Sequence, residues 1–431
     1  MTDRYHIDMP HWPVAMQELP PEGQIERTRT LLNALGNPQE TLPPIVHVAG
    51  TNGKGSTIAI LRSVLQAAGY RVHAYTSPHI HRFNERIMLA NRIINDAVLH
   101  ECIELTRQAA ADQPVSFFEG TTAAAFLAFA QVPADILLLE TGLGGLLDPT
   151  NVIEQKRACI ITSLSLDHTR LLGDALESIA LHKLGILRPD TPAIIGKQPD
   201  SLNTLIREYG EHHHLSMVRN GLHWTVESHG FGMKYQDTQG SLILPKPALL
   251  GDHQIQNAGN AIAALRQMPE YTVTQEQMEQ GLSQVIHPGR MELLYPQPFH
   301  RMTPEALPDI EVWFDGGHNP AGAQAIAQLI REWKGYPVHL IFGTTRGKYL
   351  PDMLAPFKDV VTSVTAVSVA AEPNAYSAQA IVDAASQLGI EVTAAENAVD
   401  AINRIANQNQ SARILVFGSF YLRVELAADL F

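Results

Sequence analysis

The sequence predicts an α/β protein built from two parallel-sheet domains, and three observations carry that expectation. Ile45–Ala49 is an apolar, partly β-branched run that breaks into Gly50-Thr51-Asn52-Gly53-Lys54-Gly55-Ser56 and then into a helical pattern from Ile58 to Ala68. Further apolar runs alternate with helical stretches, as the strands of a parallel sheet covered on both faces do. The alternation restarts at Ile310 and runs through IEVWFD, HLIFG, VVTSVTAVSV, IEVTAA and RILVFG. The division expected is a nucleotide-binding domain over 1–293, a proline-rich polar linker over 294–309 and a smaller Rossmann-like domain over 310–431.

Strand, glycine-rich turn and helix is a layout that holds phosphate. Glycines let successive backbone N–H groups point at one anion, and the helix that follows offers its unsatisfied N–H groups and positive dipole end. Lys54 adds a point charge for phosphate oxygens, and Ser56 and Thr57 offer hydroxyls to phosphate or Mg²⁺. The spacing departs from G-x-x-x-x-G-K-[ST]: only three residues lie between Gly50 and Lys54, and Gly55 follows the lysine.

The chain of 431 residues is too long for one ordinary core. A formal net charge of −13 argues against non-specific binding to nucleic acid or to an anionic membrane. Any polyanion must therefore meet positive charge concentrated locally, as at Lys54. Cys102 and Cys159 lack C-x-x-C spacing and read as buried thiols of a reducing compartment. No apolar stretch suits a leader or a membrane span, so a cytoplasmic protein is expected, acting as a monomer on small molecules.

Taken in order, Ile25–Leu35 is an amphipathic helix closed by Gly36-Asn37-Pro38. Val72–Thr76 is a strand ending in Ser77-Pro78-His79, followed by a charged loop, RFNERI. Val98–Ala110 and Thr121–Phe129 read as helices. Ala134–Glu140 is an apolar strand that delivers Glu140 at its carboxyl end, where a hard divalent cation would find an oxygen ligand beside the Ser77 hydroxyl. Ala158–Ser163 delivers Asp167-His168, and Pro192–Gly196 is a further strand. Ligands of such sheets sit at the carboxyl ends of the strands, so Lys54, Ser77, Glu140 and His168 are expected to converge.

Residues 210–250 read as small antiparallel strands, with His212-His213-His214 as solvated surface. Asn257–Leu265 is a helix, and His287-Pro288-Gly289-Arg290 follows its sequel. In the second domain Asp315-Gly316-Gly317-His318 ends the first strand, and the paired glycines permit close approach of a ligand. Several residues have bland alternatives. His168 suits a hydrogen-bonded structural histidine equally well, Glu119 suits a helix-start carboxylate, and Lys183 by spacing alone is a surface lysine. Phe117 and Phe118 read as core, or as aromatics stacking a flat heterocycle.

The segments HVAGTNGKGST, TSPHIHRFNERI, LLLETGLGG with LDPTN, LSLDHT with HKLGI, GDHQIQNAGNAIAAL, HPGRME, FDGGHNPAGA and ILVFGSFYL lie in one order along nearly the whole chain. In this it closely resembles the folylpolyglutamate synthase/dihydrofolate synthase family, relatives of the muramoyl peptide ligases. The resemblance implies an ATP-dependent ligase: ATP converts a carboxylate of dihydropteroate or folate into an acyl phosphate, and the amine of L-glutamate displaces phosphate. It implies that Gly50–Thr57 (Gly53, Lys54, Gly55 and Ser56 above all), Asn257, Arg290, Asp315 and His318 bind ATP. Ser77, Glu140, His168 and Ser56 would serve Mg²⁺. Ser116, Phe117, Phe118 and Glu119, with Leu147, Asp148 and Pro149, would meet the pterin substrate. Lys183 falls where the family has a carbamylated lysine, and with Lys54 and His168 is assigned to catalysis.

Three departures stand out. Leu146 replaces an arginine and Pro149 an alanine in the family's GGRLDATN, and TTRGKY stands in place of D-K-D in the second domain. Losing the loop arginine bears on folate affinity and on polyglutamate extension. Two alternatives therefore stay open: a nucleotide- and pterin-binding relative with weakened ligase activity, and a ligase for another carboxylate and amino acid.

Overall fold

The structure, a computed structural model, describes residues 12–13, 19–295 and 309–430. They form two compact units.

The larger unit takes in the described residues up to Ala248 together with Asp252–Ile286. Its strands are β1 (Ile45–Ala49), β2 (Val72–Tyr75), β3 (Ile87–Leu89), β4 (Arg92–Ile93), β5 (Ile136–Glu140), β6 (Ala158–Ile161), β7 (Ala193–Ile195) and β8 (Met217–Arg219), in an eight-stranded sheet of order β4-β3-β2-β5-β1-β6-β7-β8. All pair in parallel except β3 and β4, an antiparallel edge hairpin. That hairpin lies in and beyond the RFNERI stretch that reads as a loop. Strand order reverses about β1, so its carboxyl end opens at a topological switch point. Every residue of β1, β2, β5 and β6 is buried, which explains their continuous rather than alternating apolar runs.

The helices of this unit are α1 (Gln24–Ala34), α2 (Lys54–Ala67), α3 (Asp96–Ala110), α4 (Phe117–Gln131), α5 (Thr169–Leu172), α6 (Leu176–Leu184), α7 (Asn203–His212), α8 (Asp252–Arg266) and α9 (Gln275–Gln284). One core lies between the sheet and α1, α3 and α4, where Leu31, Ile103, Phe126 and Leu139 pack. Another joins Cys159, Ile161, Leu184 and Ile206. Both cysteines are free and buried. The expected antiparallel strands over 210–250 divide in two. β8 joins the main sheet in parallel with β7, and only β9 (Trp224–His229), β10 (Gly232–Asp237) and β11 (Gly240–Pro245) form a small antiparallel sheet. It is pinned by Trp224 stacked on Tyr235 at 5.9 Å. His212, His213 and His214 are exposed.

The smaller unit contains His287 onward and Leu249–Gly251. Its strands β12 (Glu292–Tyr295), β13 (Asp309–Asp315), β14 (Val338–Phe342), β15 (Ser363–Ala366), β16 (Val392–Ala394) and β17 (Ser411–Phe417) form a six-stranded sheet of order β12-β13-β17-β14-β15-β16. Helices α10 (Pro320–Ile330), α11 (Leu350–Leu354), α12 (Ala378–Ser386), α13 (Ala398–Gln408) and α14 (Tyr421–Leu430) cover it. Separate cores fill its two faces, one around Phe314 and Ile402 and the other around Phe342 and Ile381.

Two boundaries differ from the sequence expectation. The units part at Ile286/His287 rather than after residue 293, because β12 pairs antiparallel with β13 and buries Leu294 there. The expected linker over 294–309 therefore begins and ends inside strands, and its residues 296–308 lie outside the described residues. The run VVTSVTAVSV yields only the four-residue β15, since neither Val360 nor Val361 joins the sheet.

Candidate active site

The loop after β1 is fixed before any ligand arrives. Thr51 and Asn52 donate their N–H groups to Ser163 O at 2.9 and 3.2 Å. Thr51 Oγ1 donates to Ser165 O at 3.0 Å and accepts from Ser165 N at 3.1 Å. The segment after β6 thus straps the loop from one side. Gly50 and Gly53 are there for different reasons. A Cβ on Gly50 would lie 1.8 Å from Thr162 Oγ1. Gly53, the residue before α2, has a φ of +89°, and a Cβ there would lie 2.3 Å from Asn257 Oδ1. Asn257 is buried on α8 and held by Gln254 Oε1 at 2.9 Å, so α8 closes the loop from the other side. The sequence-predicted Asn257 therefore does meet the phosphate loop.

Lys54 opens α2, and its Nζ donates to Gly50 O at 3.2 Å and to Thr51 O at 3.3 Å. Lys183 reaches the same Gly50 carbonyl from α6, at 2.9 Å. It is 5% exposed, which overturns the reading of a surface lysine. Burial, reinforced by the like charge of Lys54, pushes the Lys183 ammonium down to about 7, against the opposing pull of Asp167 and Asp148. A helical lysine and a buried amine look alike in a sequence, since the difference is made by what packs on the helix.

Glu140 ends β5 and is 4% exposed, with Ser77 N donating to Oε2 at 3.2 Å. Ser56 and Thr57 are buried in the first turn of α2, and Thr57 Oγ1 has no hydrogen-bond partner there. A buried carboxylate, a serine beside it and an orphaned hydroxyl are oxygen donors that fit a hard divalent cation. His168 is exposed at the start of α5 in a left-handed conformation, φ 50°, and its N–H donates to Asp167 Oδ1 at 2.8 Å.

The expected pterin stretch is occupied largely by bonds of its own. Ser116 and Glu119 form a capping box on α4, and Arg27 of α1 pairs with Glu119 at 2.6 Å. The helix-start reading of Glu119 describes these contacts. Phe118 lies 5.9 Å from Tyr75 and fills the space a side chain at Gly142 would take. Phe117 meets Phe83 edge-on at 6.0 Å, and Arg86 lies over both rings at 5.3 and 5.6 Å.

Asp148, with Leu147 before it and Pro149 after, organises its loop. It accepts from Leu143 N at 2.8 Å, Thr150 N at 3.0 Å and Thr150 Oγ1 at 2.5 Å. His47 in the middle of β1 meets Thr150 Oγ1 at 2.8 Å. Burial raises the Asp148 carboxyl and holds the His47 ring well below its ordinary value. Since Thr150 donates to Asp148, His47 Nε2 is the donor to Thr150. The spacing of the motif gives no sign of this relay, because His47 reads only as one residue of an apolar strand.

In the smaller unit Asp315 is buried at the end of β13 and accepts from Gly317 N at 2.7 Å and Met291 N at 2.9 Å. Gly316 N donates to Gly289 O at 2.9 Å, so HPGRME and DGGH are laced together. Arg290 lies over the Phe420 ring at 4.9 Å, and His318 Nδ1 meets Gly316 O at 3.0 Å.

Comparison with known proteins places these residues among relatives of one family. The family described as Mur ligase, glutamate ligase domain, matches residues 300–420. The folylpolyglutamate synthase of Lacticaseibacillus casei is 31% identical over 93% of this chain and 92% of its own. The dihydrofolate synthase/folylpolyglutamate synthase of Bacillus subtilis is 32% identical over 92% of each. Among solved structures, Escherichia coli FolC in complex with DHPP and ADP superposes with a TM-score of 0.82 at 28% identity, covering 96% of this chain and 98% of that one. A bifunctional folylpolyglutamate synthase/dihydrofolate synthase with Mn, AMPPNP and L-glutamate bound gives 0.83 at 27% identity, covering 96% and 95%.

Proposed function

The chain belongs to the folylpolyglutamate synthase/dihydrofolate synthase family and is an ATP-dependent glutamate ligase, and from that premise we propose that dihydropteroate is the carboxylate it serves best. ATP and a divalent cation, taken here as Mg²⁺, are its cofactors. The observation that carries the site assignment is the meeting of Lys54 and Lys183, from separate helices, on one carbonyl oxygen of the phosphate loop.

In the proposed reaction the substrate carboxylate attacks the γ-phosphorus of ATP, ADP leaves, and an acyl phosphate forms. The amine of L-glutamate then adds to the acyl carbon, loses a proton, and expels phosphate as the amide bond closes. Loop N–H groups and the start of α2 hold the phosphate chain, and the Lys54 ammonium moves from Gly50 O to the transferring phosphoryl group. Ser77, Glu140 and the α2 hydroxyls would hold the cation, which supplies charge neutralisation on the phosphates. His168 is assigned beside them as a further ligand. Lys183 is assigned as a carbamate, the form a low-affinity amine reaches with CO₂. Arg290, Asp315 and His318 are assigned to the nucleotide by the resemblance.

The test is phosphate release with ATP, dihydropteroate and L-glutamate, each omitted in turn. Release should require both substrates. Release that ignores them would favour the nucleotide- and pterin-binding relative over the ligase.

Leu146 supports the preference for dihydropteroate. It is 48% exposed, with its N–H bonded to His182 O at 2.7 Å and its side chain beside Gly185, where a Cβ would lie 2.6 Å from Leu146 Cβ. An arginine there would add a cation facing anionic substrate. Dihydropteroate carries one carboxylate and glutamylated folates carry several, and a charge-assisted contact is worth about 1.5–3 kcal/mol. Leu146→Arg is therefore expected to raise kcat/KM for glutamylated folate by about tenfold or more, and for dihydropteroate less. Equal gains on the two substrates, measured side by side, would dismiss the preference.

A further inference from the structure

Between the Gly142–Asn151 loop and the helix of Lys183 lies a buried cation to which the ligase chemistry gives no task. Lys156, 9% exposed, donates from Nζ to Asn151 Oδ1 and to Ile186 O, both at 2.7 Å. Asn151 in turn donates from Nδ2 to Leu146 O at 3.1 Å and to Gly185 O at 3.2 Å. One carboxamide thus spans the loop and the C-terminal end of α6. Its two ends are not interchangeable, because Lys156 and Arg188 (3.2 Å) both donate to Oδ1.

Loop and helix are in backbone contact at this point. A Cβ on Gly145 would lie 2.9 Å from His182 O and 3.2 Å from Lys183 Cα. Where the loop sits therefore sets where Lys183 starts. Both acceptors of Lys156 are neutral oxygens, and burial lowers its ammonium to about 8. Replacing a buried charge with a well-packed apolar group is often neutral or stabilising. An ammonium here is thus hard to account for by stability alone.

We infer that Lys156 is a positioning residue: by fixing the orientation of the Asn151 amide, it sets the register of the Gly142–Asn151 loop against α6 and so the placement of Lys183 at the Gly50 carbonyl. The inference rests on the reading of Lys183 as catalytic, and the experiment separates the two. Full-length Lys156→Met, Lys156→Ala, Asn151→Asp and Lys183→Ala are compared in steady-state ligation and in thermal melting. Lys156→Met should lower kcat by about ten- to a hundredfold, the range set by a small misplacement of reacting groups. Its KM for ATP should be unchanged.

Asn151→Asp keeps Lys156 paired but turns a carboxylate oxygen toward Leu146 O and Gly185 O, and should show the same loss of kcat. In Lys156→Ala, ethylammonium should restore part of the lost kcat and ethanol none. A role in stability alone would lower the melting temperature without a selective response to the amine. Wild-type kcat in Lys156→Met, or equal rescue by ethanol, overturns the inference while an inactive Lys183→Ala leaves the Lys183 reading intact. Full activity of Lys183→Ala overturns that reading and the inference with it. If Lys156→Met does not fold, Asn151→Asp decides: wild-type kcat there rejects the inference.

Discussion

Lys54→Ala is expected to lower kcat by about 10²–10³, the loss typical when one preorganised donor to a developing charge is removed. Charge grows on the transferring phosphoryl group mainly in the transition state, so the effect should fall on kcat more than on ATP affinity. The fold should survive. The Lys54 ammonium bonds the carbonyls of Gly50 and Thr51, whereas the loop is also tied by Thr51 and Asn52 to Ser163 and Ser165. Steady-state kinetics beside a thermal melt separate the two effects. Near-normal turnover with an unchanged melt would remove Lys54 from the chemistry. A secondary consequence is that Lys183, relieved of a like charge, should hold its proton to higher pH.

Lys183→Ala should be nearly inactive and partly rescued by short carboxylates such as acetate. An ordinary lysine titrates near 10.4 and is almost wholly charged at neutral pH. Lys183, lowered to about 7, has a large neutral fraction there. The neutral amine attacks CO₂, an N–C bond forms, and one proton leaves to water, giving a carbamate. The sign follows: as pH rises through about 7 the neutral amine, and with it the carbamate, increases, and below that value both decline. Activity in CO₂-depleted buffer should fall and return with bicarbonate, and ¹³C-labelled bicarbonate should give a carbamate resonance absent from Lys183→Ala. Undiminished turnover without CO₂, together with no such resonance, would end the proposal.

The strands of the larger sheet were legible because a parallel strand buried on both faces leaves an unmistakable apolar run, as at Ile136–Glu140. Edges were harder. β8 carries intermediate residues at Met217, Val218 and Arg219, and nothing local distinguishes an edge strand of one sheet from a hairpin of another. β12 hid in a polar, proline-rich stretch because pairing with β13, seventeen or more residues away in the chain, makes it a strand. At the site, chemistry tied to a local turn was readable: glycine at 50 and 53, lysine at 54, glutamate at the end of β5. Chemistry created by tertiary packing was not. Lys183 and Lys156 acquire their properties from burial, and His47 becomes part of the Asp148 relay only when Thr150 folds back over β1. The resemblance to a family supplied Lys183, which periodicity had assigned to the surface.

The strap from Ser163 and Ser165 to the phosphate loop has an energetic consequence beyond geometry. Fixing the backbone of one residue removes roughly 1–2 kcal/mol of conformational entropy. Had the stretch Gly50–Ser56 been left to be ordered by its ligand, that loss would rival the whole of a micromolar binding free energy, about 8 kcal/mol. Here folding of the sheet has already absorbed it, through bonds that join β6 to β1 across the switch point. The nucleotide meets a rigid receptor, so its association should proceed without a slow ordering phase. Substitutions that loosen Ser165 should weaken affinity without touching any atom that faces the phosphates.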